Sequence, residues 1–432
     1  MTAFLVKASR EVRQGPYGEV AIAPKRVALD TKTATAVAEI VDAVHARGDA
    51  ALVEYTNRFD ARNVERASEL RVEKDAIARA FAELDVRTKE ALRFACERVL
   101  SYHRNTGPQD MFFVDQEGVE LGNMWRRVDS AGLYVPGGSA SYPSSVIMNA
   151  MPARAAGVER LVMCSPAPEG KLNQAVLAAA HMCGIDEIYS VGGAQAIAAM
   201  AFGTETVPKT ATVVGPGNKY VAEAKRRLFG VVGVDMVAGP SEILVIAEEG
   251  ANPAWTAADL LSQAEHDVDA KCYLICFSRE FAEKTIGEVE RILETLPRRR
   301  IALPSWQDHG AVMVAKSREE AAEIANRIAA EHVELLCDDP DAYLPLLRHA
   351  GAIFAGHYTP EAIGDYIAGP SHVLPTDGTA AFSSGLSVYN FLKRVSYIRN
   401  DAASFARIAS SARLLAEKEG LHAHALSVSV RE

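Results

Sequence analysis

From residue 132 onward, short apolar runs alternate with amphipathic, alanine-rich segments, and this alternation constrains the fold more than any other feature of the chain. Strand–helix alternation predicts a parallel sheet covered by helices on both faces. A second series of the same kind begins after Gly239-Pro240-Ser241 and continues to about residue 354. The predicted fold class is α/β, with two Rossmann-like parallel-sheet domains. The first series contains runs at 133–135, 160–164, 187–191 and 212–214.

Weaker patterns divide the rest of the chain. Residues 31–106 repeat apolar positions at helical spacing until Gly107-Pro108 interrupts them, and the segment is expected to pack on the second α/β series. The ends carry smaller appendages. The predicted division is an N-terminal appendage at 1–25, a first α/β domain at 26–131 and 242–385, a second α/β domain at 132–241, and a C-terminal tail domain at 386–432.

Charge and composition exclude several classes of protein. The formal net charge is −10, and the one basic cluster, Arg298-Arg299-Arg300, is short. This argues against a nucleic-acid surface, which needs clustered Lys and Arg. No stretch reaches the roughly 20 apolar residues that span a bilayer, so no membrane partner and a cytoplasmic location are expected. The six cysteines form no Cys-x-x-Cys pair and are expected to be buried thiols rather than a disulfide framework.

Three glycine-rich turns each follow a predicted strand and open a predicted helix. The usual dinucleotide fingerprint, G-x-G-x-x-G, is absent at these positions. Helix N-termini at the carboxyl ends of strands offer unpaired N–H groups to phosphates. Two interpretations therefore stay open, a nucleotide-type ligand or simple tight turns. The turns are Pro136-Gly137-Gly138-Ser139, Gly192-Gly193-Ala194-Gln195 and Gly215-Pro216-Gly217-Asn218.

Candidate chemical groups are scattered over the second half of the chain. Gln263 and His266 are one helical turn apart and could share a metal, although a solvated helix end would also explain them. Glu331 and His332 could carry acid–base chemistry. Adjacent strand residues point to opposite faces, so both serve one site only if the helix–strand junction is irregular. A polar loop with Asp365 and a tail with His424 add further donors, each also compatible with a solvated surface.

Taken in order, these strings resemble the histidinol dehydrogenase family over roughly residues 30–430. The resemblance is far more specific than any string alone. The carrying motifs are residues 132–138, 142–149, 192–198, 214–218, 235–242, 259–266, 330–335, 364–366, 372–376 and 421–424.

The resemblance implies an oxidation of L-histidinol through L-histidinal to L-histidine with reduction of two NAD, the last step of histidine biosynthesis. It also implies a homodimer whose C-terminal tail reaches into the partner's site, and one Zn²⁺ per subunit. Glu331 would activate water and His332 would accept the alcohol proton. The implied metal ligands are Gln263, His266, Asp365 and His424. The implied substrate contacts are Ser241, Gln263, His266, His332, Asp365, Glu419 and His424, and the implied NAD contacts are Tyr134, Gln195 and Asn218.

Two positions depart from the common family pattern, namely Ser371, where many members carry Asn, and Ala381, where Arg is common. Both concern substrate preference rather than redox chemistry. Three rival hypotheses follow. A related zinc and NAD enzyme would oxidise another small alcohol such as sulfopropanediol, although the retained Glu419 favours an amino alcohol. An aldehyde dehydrogenase would use a cysteine nucleophile, and an inactive scaffold would only bind nucleotide.

Overall fold

A computed structural model describes residues 4–7, 12–13, 30–137, 142–237 and 239–432. Its described strands form two large sheets and one small antiparallel sheet, which confirms the predicted α/β class. The strands are β1 (Phe4–Lys7), β2 (Val12–Arg13), β3 (Met111–Val114), β4 (Glu120–Arg127), β5 (Ser130–Tyr134), β6 (Arg160–Cys164), β7 (Glu187–Tyr189), β8 (Thr212–Val214), β9 (Gly233–Val234), β10 (Glu242–Ala247), β11 (Lys271–Cys276), β12 (Ala311–Val314), β13 (His332–Leu336), β14 (Ala352–Ala355) and β15 (Leu392–Arg399).

Many of the described α-helices begin with a capping Asp, Asn or Ser side chain or with a proline. Asn252, for example, accepts the Ala254 N–H at the start of a helix whose first residue is Pro253. The helices are α1 (Thr31–Arg47), α2 (Asp49–Phe59), α3 (Lys74–Glu83), α4 (Val86–Asn105), α5 (Pro143–Ala155), α6 (Gln174–Met182), α7 (Gly193–Phe202), α8 (Lys219–Leu228), α9 (Pro253–Ala264), α10 (Arg279–Leu293), α11 (Arg299–His309), α12 (Arg318–Ile328), α13 (Glu361–Tyr366), α14 (Ala402–Lys418) and α15 (His422–Ser429).

The larger sheet has seven strands in the order β14-β13-β10-β11-β12-β1-β2. Strands β10 to β14 are parallel, and β1 adds antiparallel to β12. All six residues of β10 are buried, as expected for a parallel strand covered by helices on both faces. The predicted N-terminal appendage thus contributes two edge strands, and the rest of residues 1–25 lies outside the described residues.

The smaller parallel sheet has the order β7-β6-β5-β8-β9, and all of its pairings are parallel. Because these strands are parallel, the segments that follow β5, β6, β7 and β8 emerge along one edge. This is the carboxyl edge of the five-stranded sheet, and the next α-helices in the chain after these strands are α5, α6, α7 and α8.

The N-terminal helices pack differently from the expectation. Val37 and Leu52 share a core with Val213 of the five-stranded sheet, and Leu92 shares another with Leu161. The two cores of the seven-stranded sheet contain no described residue before Ile243. The expectation that residues 31–106 pack on the second α/β series is therefore wrong. Amphipathic spacing identifies a buried face, but it does not identify which sheet covers that face.

A small antiparallel sheet, β15-β4-β3, links the two ends of the chain and was not predicted. Its β15 strand is mostly exposed, so it lacks the alternation that marks a half-buried strand. The tail helices lie beside it, with Arg407 of α14 donating to the Glu117 carbonyl before β4. Within the described part of the chain, no helix combines the length and apolarity needed to cross a bilayer.

Candidate active site

The densest group of titratable side chains lies at the amino edge of the seven-stranded sheet. His332 is the first residue of β13 and pairs in register with Ile243, the second residue of β10. Helix α9 runs antiparallel to the strands, so its C-terminal end brings Gln263 and His266 to the same edge. The C-terminus of a helix carries partial negative charge and stabilises nearby cations.

The backbone of Glu242 holds both residues of the predicted proton-handling pair. Its N–H donates to Glu331 Oε2 at 3.0 Å, and its carbonyl lies 3.0 Å from His332 Nδ1. Glu331 precedes β13, and Ala329 before it adopts a left-handed conformation with φ of 50°. The junction between α12 and β13 is therefore irregular, which is the condition for adjacent residues to serve one site.

These contacts determine the protonation of His332. A carbonyl can only accept, so Nδ1 carries the hydrogen and Nε2 is left with its lone pair. Burial lowers the pKa of His332, which keeps the imidazole neutral at neutral pH. Burial raises the pKa of Glu331 well above its usual range. Burial therefore favours the neutral form of both members of the pair.

Asp365 lies on the short helix α13, not in a loop as the sequence indicated. The helix packs closely on β14, since a Cβ at Gly364 would lie 2.4 Å from the Phe354 ring. Asp365 Oδ2 is 3.9 Å from His266 Nε2. Burial and the neighbouring carboxylate of Glu361 raise the pKa of Asp365 well above its usual range. Two carboxylates forced together in a buried place are stabilised by a cation.

The residues present fit a metal ion. Gln263 is fully buried, and its Oε1 has no hydrogen-bond partner among the described residues. An orphaned buried oxygen beside His266 and Asp365 is the acceptor that a cation would satisfy. Nitrogen and oxygen donors in this mixture suit Zn²⁺. His332, Glu361 and Asp365 also place one donor atom each within 4.8 Å of one another.

The segment 365–372 joins this site to the other sheet. His372 lies between the two units, with Nδ1 2.9 Å from the Asp365 carbonyl and Nε2 3.3 Å from Ser145 Oγ of α5. Ser371, one of the departures from the family pattern, is buried and donates to the Met148 carbonyl of α5. Its hydroxyl is therefore occupied by the backbone. Ala381, the other departure, is exposed.

The predicted cofactor contacts lie at the carboxyl edge of the five-stranded sheet. Tyr134, at the end of β5, accepts the Gly193 N–H of α7 at 3.1 Å, and burial raises its pKa to about 12. Gln195 is buried with its Oε1 unpartnered among the described residues. Asn218 is exposed and caps α8. Gly138 and Ser139 of the first predicted turn lie outside the described residues.

Glu419 and His424 stand apart from this cluster, whereas Ser241 lies at the same edge. Glu419 and His424 are exposed on the tail, and no hydrogen bond or ion pair between described residues connects either one to Gln263, His266 or Asp365. Ser241 lies just before β10, where its carbonyl accepts the Lys271 N–H. The chain thus brings together three of its four predicted metal ligands.

Sequence reasoning missed a group of buried carboxyls behind the site. Glu361 is 1% exposed, accepts a hydrogen bond from Ser262 at 3.0 Å, and lies 3.7 Å from His332 Nε2. Glu334 is fully buried, and burial with the neighbouring Asp259 raises its pKa to about 10. The spacing of Glu361 and Asp365, four residues apart, was the available signal, because it places both on one helical face.

The buried cysteines Cys164 and Cys276 give no support to covalent catalysis. All six are free thiols. Burial raises the pKa of Cys164 to about 12 and that of Cys276 to about 11. The nucleophile in such enzymes is the thiolate. Because a raised pKa favours the protonated thiol, neither Cys164 nor Cys276 is activated.

The fold and the site define an α/β protein whose donor and titratable side chains at the amino edge of one sheet fit a cation, and whose other sheet has helix N-termini at its carboxyl edge. The histidinol dehydrogenase family model matches residues 24–432. Histidinol dehydrogenase from Gluconobacter oxydans is 52% identical over 93% of each chain, and that from Agrobacterium fabrum is 49% identical over 100% of this chain and 99% of its own. The chain belongs to the histidinol dehydrogenase family and is an oxidoreductase.

Solved structures agree with this assignment. The crystal structure of histidinol dehydrogenase from Elizabethkingia anophelis superposes with a TM-score of 0.91 at 36% identity and covers 96% of each chain. An acetylating aldehyde dehydrogenase from Geobacillus thermoglucosidasius superposes with a TM-score of 0.50 at 13% identity, covering 86% of this chain and 98% of its own. That likeness shows the fold alone.

Proposed function

We propose that this chain oxidises L-histidinol through L-histidinal to L-histidine with two NAD, as the last step of histidine biosynthesis in the cytoplasm. The carrying observation is that Gln263, His266 and Asp365 meet the Glu331–His332 pair at one edge of the sheet, in a chain of this family. Gln263, His266 and Asp365 would hold Zn²⁺ with His424. The chemistry supplied by bound zinc is polarisation of the alcohol oxygen, and that supplied by bound NAD is acceptance of a hydride.

In the first stage, His332 Nε2 takes the proton of the alcohol as its carbon loses a hydride. The neutral imidazole and its fixed tautomer support this role. In the second stage, Glu331 takes a proton from the water that adds to the aldehyde. Its own proton must first pass to solvent, a loss that a protonated His332 favours, since His332 Nδ1 is 3.8 Å from Glu331 Oε2. The hydrated aldehyde then loses the second hydride from its carbon and becomes the carboxylic acid, and the protons held by the pair leave to solvent.

The remaining donors would come from a second copy of the chain. Glu419 and His424 are exposed, and the tail helices also expose Leu414, Leu415 and Leu426 by 54%, 64% and 60%. Exposed apolar residues in such number favour a protein partner. We infer a homodimer in which each tail supplies His424 as a metal ligand, and Glu419 as a carboxylate for the ammonium of the substrate. Ser241 would complete the substrate contacts, and Tyr134, Gln195 and Asn218 those of NAD.

The deciding experiment is a stoichiometric assay of the purified protein. With zinc, excess NAD and limiting L-histidinol, two NADH and one histidine should form per histidinol, and a chelator should abolish the reaction until zinc is restored. Sulfopropanediol serves as the comparison substrate. Failure to reduce NAD with histidinol in zinc-loaded protein would overturn the proposal, and turnover of sulfopropanediol alone would replace the substrate.

A further inference from the structure

A buried ion pair is hydrogen-bonded to the turn of residues 215–218, at the carboxyl edge of the five-stranded sheet. Lys225 of α8 and Asp235, just after β9, form an ion pair with side-chain exposures of only 3% and 0%. Both partners also bind the same residue of the turn. The Lys225 ammonium donates to the Gly215 carbonyl at 2.8 Å, and Asp235 Oδ2 accepts the Gly215 N–H at 2.8 Å.

The backbone conformation of Gly215 explains why it needs these two hydrogen bonds. Its φ is 116°, and a Cβ there would lie 2.1 Å from the Tyr134 carbonyl oxygen, so the turn passes directly against the end of β5. Only glycine adopts this backbone conformation freely, and a glycine turn is held by its hydrogen bonds rather than by a side chain. The ion pair provides bonds on both sides of one residue.

Stability alone does not account for the pair. Removing two charges from water is expensive, and well-packed apolar residues often replace a buried ion pair without loss of stability. The pair does have a consequence for the turn that follows. Asn218 uses its Oδ1 to cap Tyr220 and Val221, and no hydrogen bond between described residues uses the N–H of Gly217 or Asn218. These N–H groups precede the N-terminus of α8, where anions are favoured.

We propose that Lys225 and Asp235 are positioning residues for the cofactor. They hold Gly215 so that the N–H groups of Gly217 and Asn218 face the pyrophosphate of a dinucleotide. Because the two charges cancel, the anionic ligand meets no unpaired buried charge. The inference deepens the proposed function and rests on it.

The test compares two double variants by direct titration with NADH. K225M/D235L fills the space without polar groups and should weaken NADH binding by roughly ten- to a hundredfold, the range for lost hydrogen bonds to charged groups. K225Q/D235N keeps hydrogen-bonding groups at both positions and should stay within about threefold of the unaltered protein. Zinc content and KM for histidinol should not change in either. A merely structural role predicts equal effects on both substrates.

The matched control is R226M, which removes an exposed cation of the same helix, paired with Glu223 rather than with the turn. It should leave the Kd for NADH unchanged. Wild-type affinity in a folded K225M/D235L protein would overturn the inference.

Hydrogen exchange of the unaltered protein gives a second measurement, which does not depend on how the variants fold. NADH should slow exchange at Gly217 and Asn218, while Gly215 is already protected by Asp235. Absence of any NADH protection in residues 215–218 would overturn the inference. If the unaltered protein binds NADH but does not oxidise histidinol, the proposed substrate fails while this inference stands. If it binds no NADH at all, the cofactor assignment itself fails.

Discussion

The two parallel sheets share an architecture but use opposite edges. The five-stranded sheet presents its carboxyl edge, where α5, α7 and α8 begin with the positive ends of their dipoles. The seven-stranded sheet presents its amino edge, where α9 and α12 end with the negative ends of theirs. An anionic dinucleotide suits the first edge and a metal cation the second. In the proposed function, the edge that each sheet presents, rather than the fold, determines its ligand.

The strongest way to break this comparison is to remove a metal donor. His266→Ala should lower kcat by about a thousandfold or more, since the Lewis acid contributes several kcal/mol to the transition state. Zinc content should fall, while the Kd for NADH should stay unchanged because the other edge is intact. His309→Ala, at the end of α11, is the control. Loss of NADH binding in His266→Ala would show that the two edges are not independent.

Replacing the base attacks the same edge without removing the metal. His332→Gln should lower kcat by roughly a hundred- to ten-thousandfold, the usual contribution of a general base, with zinc content preserved. Glu331→Gln should instead spare the first oxidation and slow the second. Rapid-quench analysis should then detect histidinal before histidine. Equal loss of both oxidations in Glu331→Gln would contradict the assignment of water activation to this carboxyl.

The stability of the unit built on the five-stranded sheet should fall in acid. Burial lowers the pKa of His103, on α4 of this unit, from 6.5 to about 4. The unfolded chain binds a proton at His103 more tightly than the folded protein does. The free energy of unfolding is therefore highest above pH 6.5 and decreases as the pH falls toward 4. The loss amounts to about 3 kcal/mol. Unfolding measured by denaturant titration between pH 4 and 7 should show this slope, and His103→Phe should flatten it.

The stability of the unit built on the seven-stranded sheet should instead fall in alkali. The raised pKa of Glu334 means that its proton stabilises the fold fully below about pH 4.5, and that this contribution declines as pH rises toward about 10. Glu334→Gln keeps a neutral side chain of the same shape and should reduce the alkaline loss of stability. Thermal unfolding between pH 6 and 10 provides the measurement. An unaltered alkaline slope in this variant would show that the carboxyl is ionised in the folded protein.

The smallest expected effect belongs to the cofactor edge. Tyr134→Phe removes the hydroxyl that accepts the Gly193 N–H and should raise the Kd for NADH by about fivefold, the value of one neutral hydrogen bond. Zinc content should be unaffected. Tyr389→Phe, at an exposed position beside the small antiparallel sheet, is the matched control. If Tyr134→Phe changed the KM for histidinol more than the Kd for NADH, the assignment of Tyr134 to cofactor binding would be wrong.

Local patterns predicted most of the elements, because helix and strand periods are written in neighbouring residues. They also indicated Glu331 and His332 as a candidate pair, which stays a prediction, and they required the irregular helix–strand junction that Ala329 provides. They could not predict the packing of α1 to α4, since an amphipathic face does not specify its partner. Glu361 was missed for a similar reason. It has the appearance of an ordinary helical glutamate, and its importance depends on contacts with Ser262 and His332, which are distant in sequence.

The segment 365–372 has a mechanical consequence. It is bonded to α4 through Arg98, which donates to the Ile367 and Ala368 carbonyls, and to α5 through Ser371 and His372. These hydrogen bonds connect the segment that follows Asp365 to two helices packed on the five-stranded sheet. Any widening between the two units would have to break the hydrogen bond of 2.9 Å between His372 Nδ1 and the Asp365 carbonyl, so a change in spacing at one sheet would be transmitted to the backbone of Asp365 at the other.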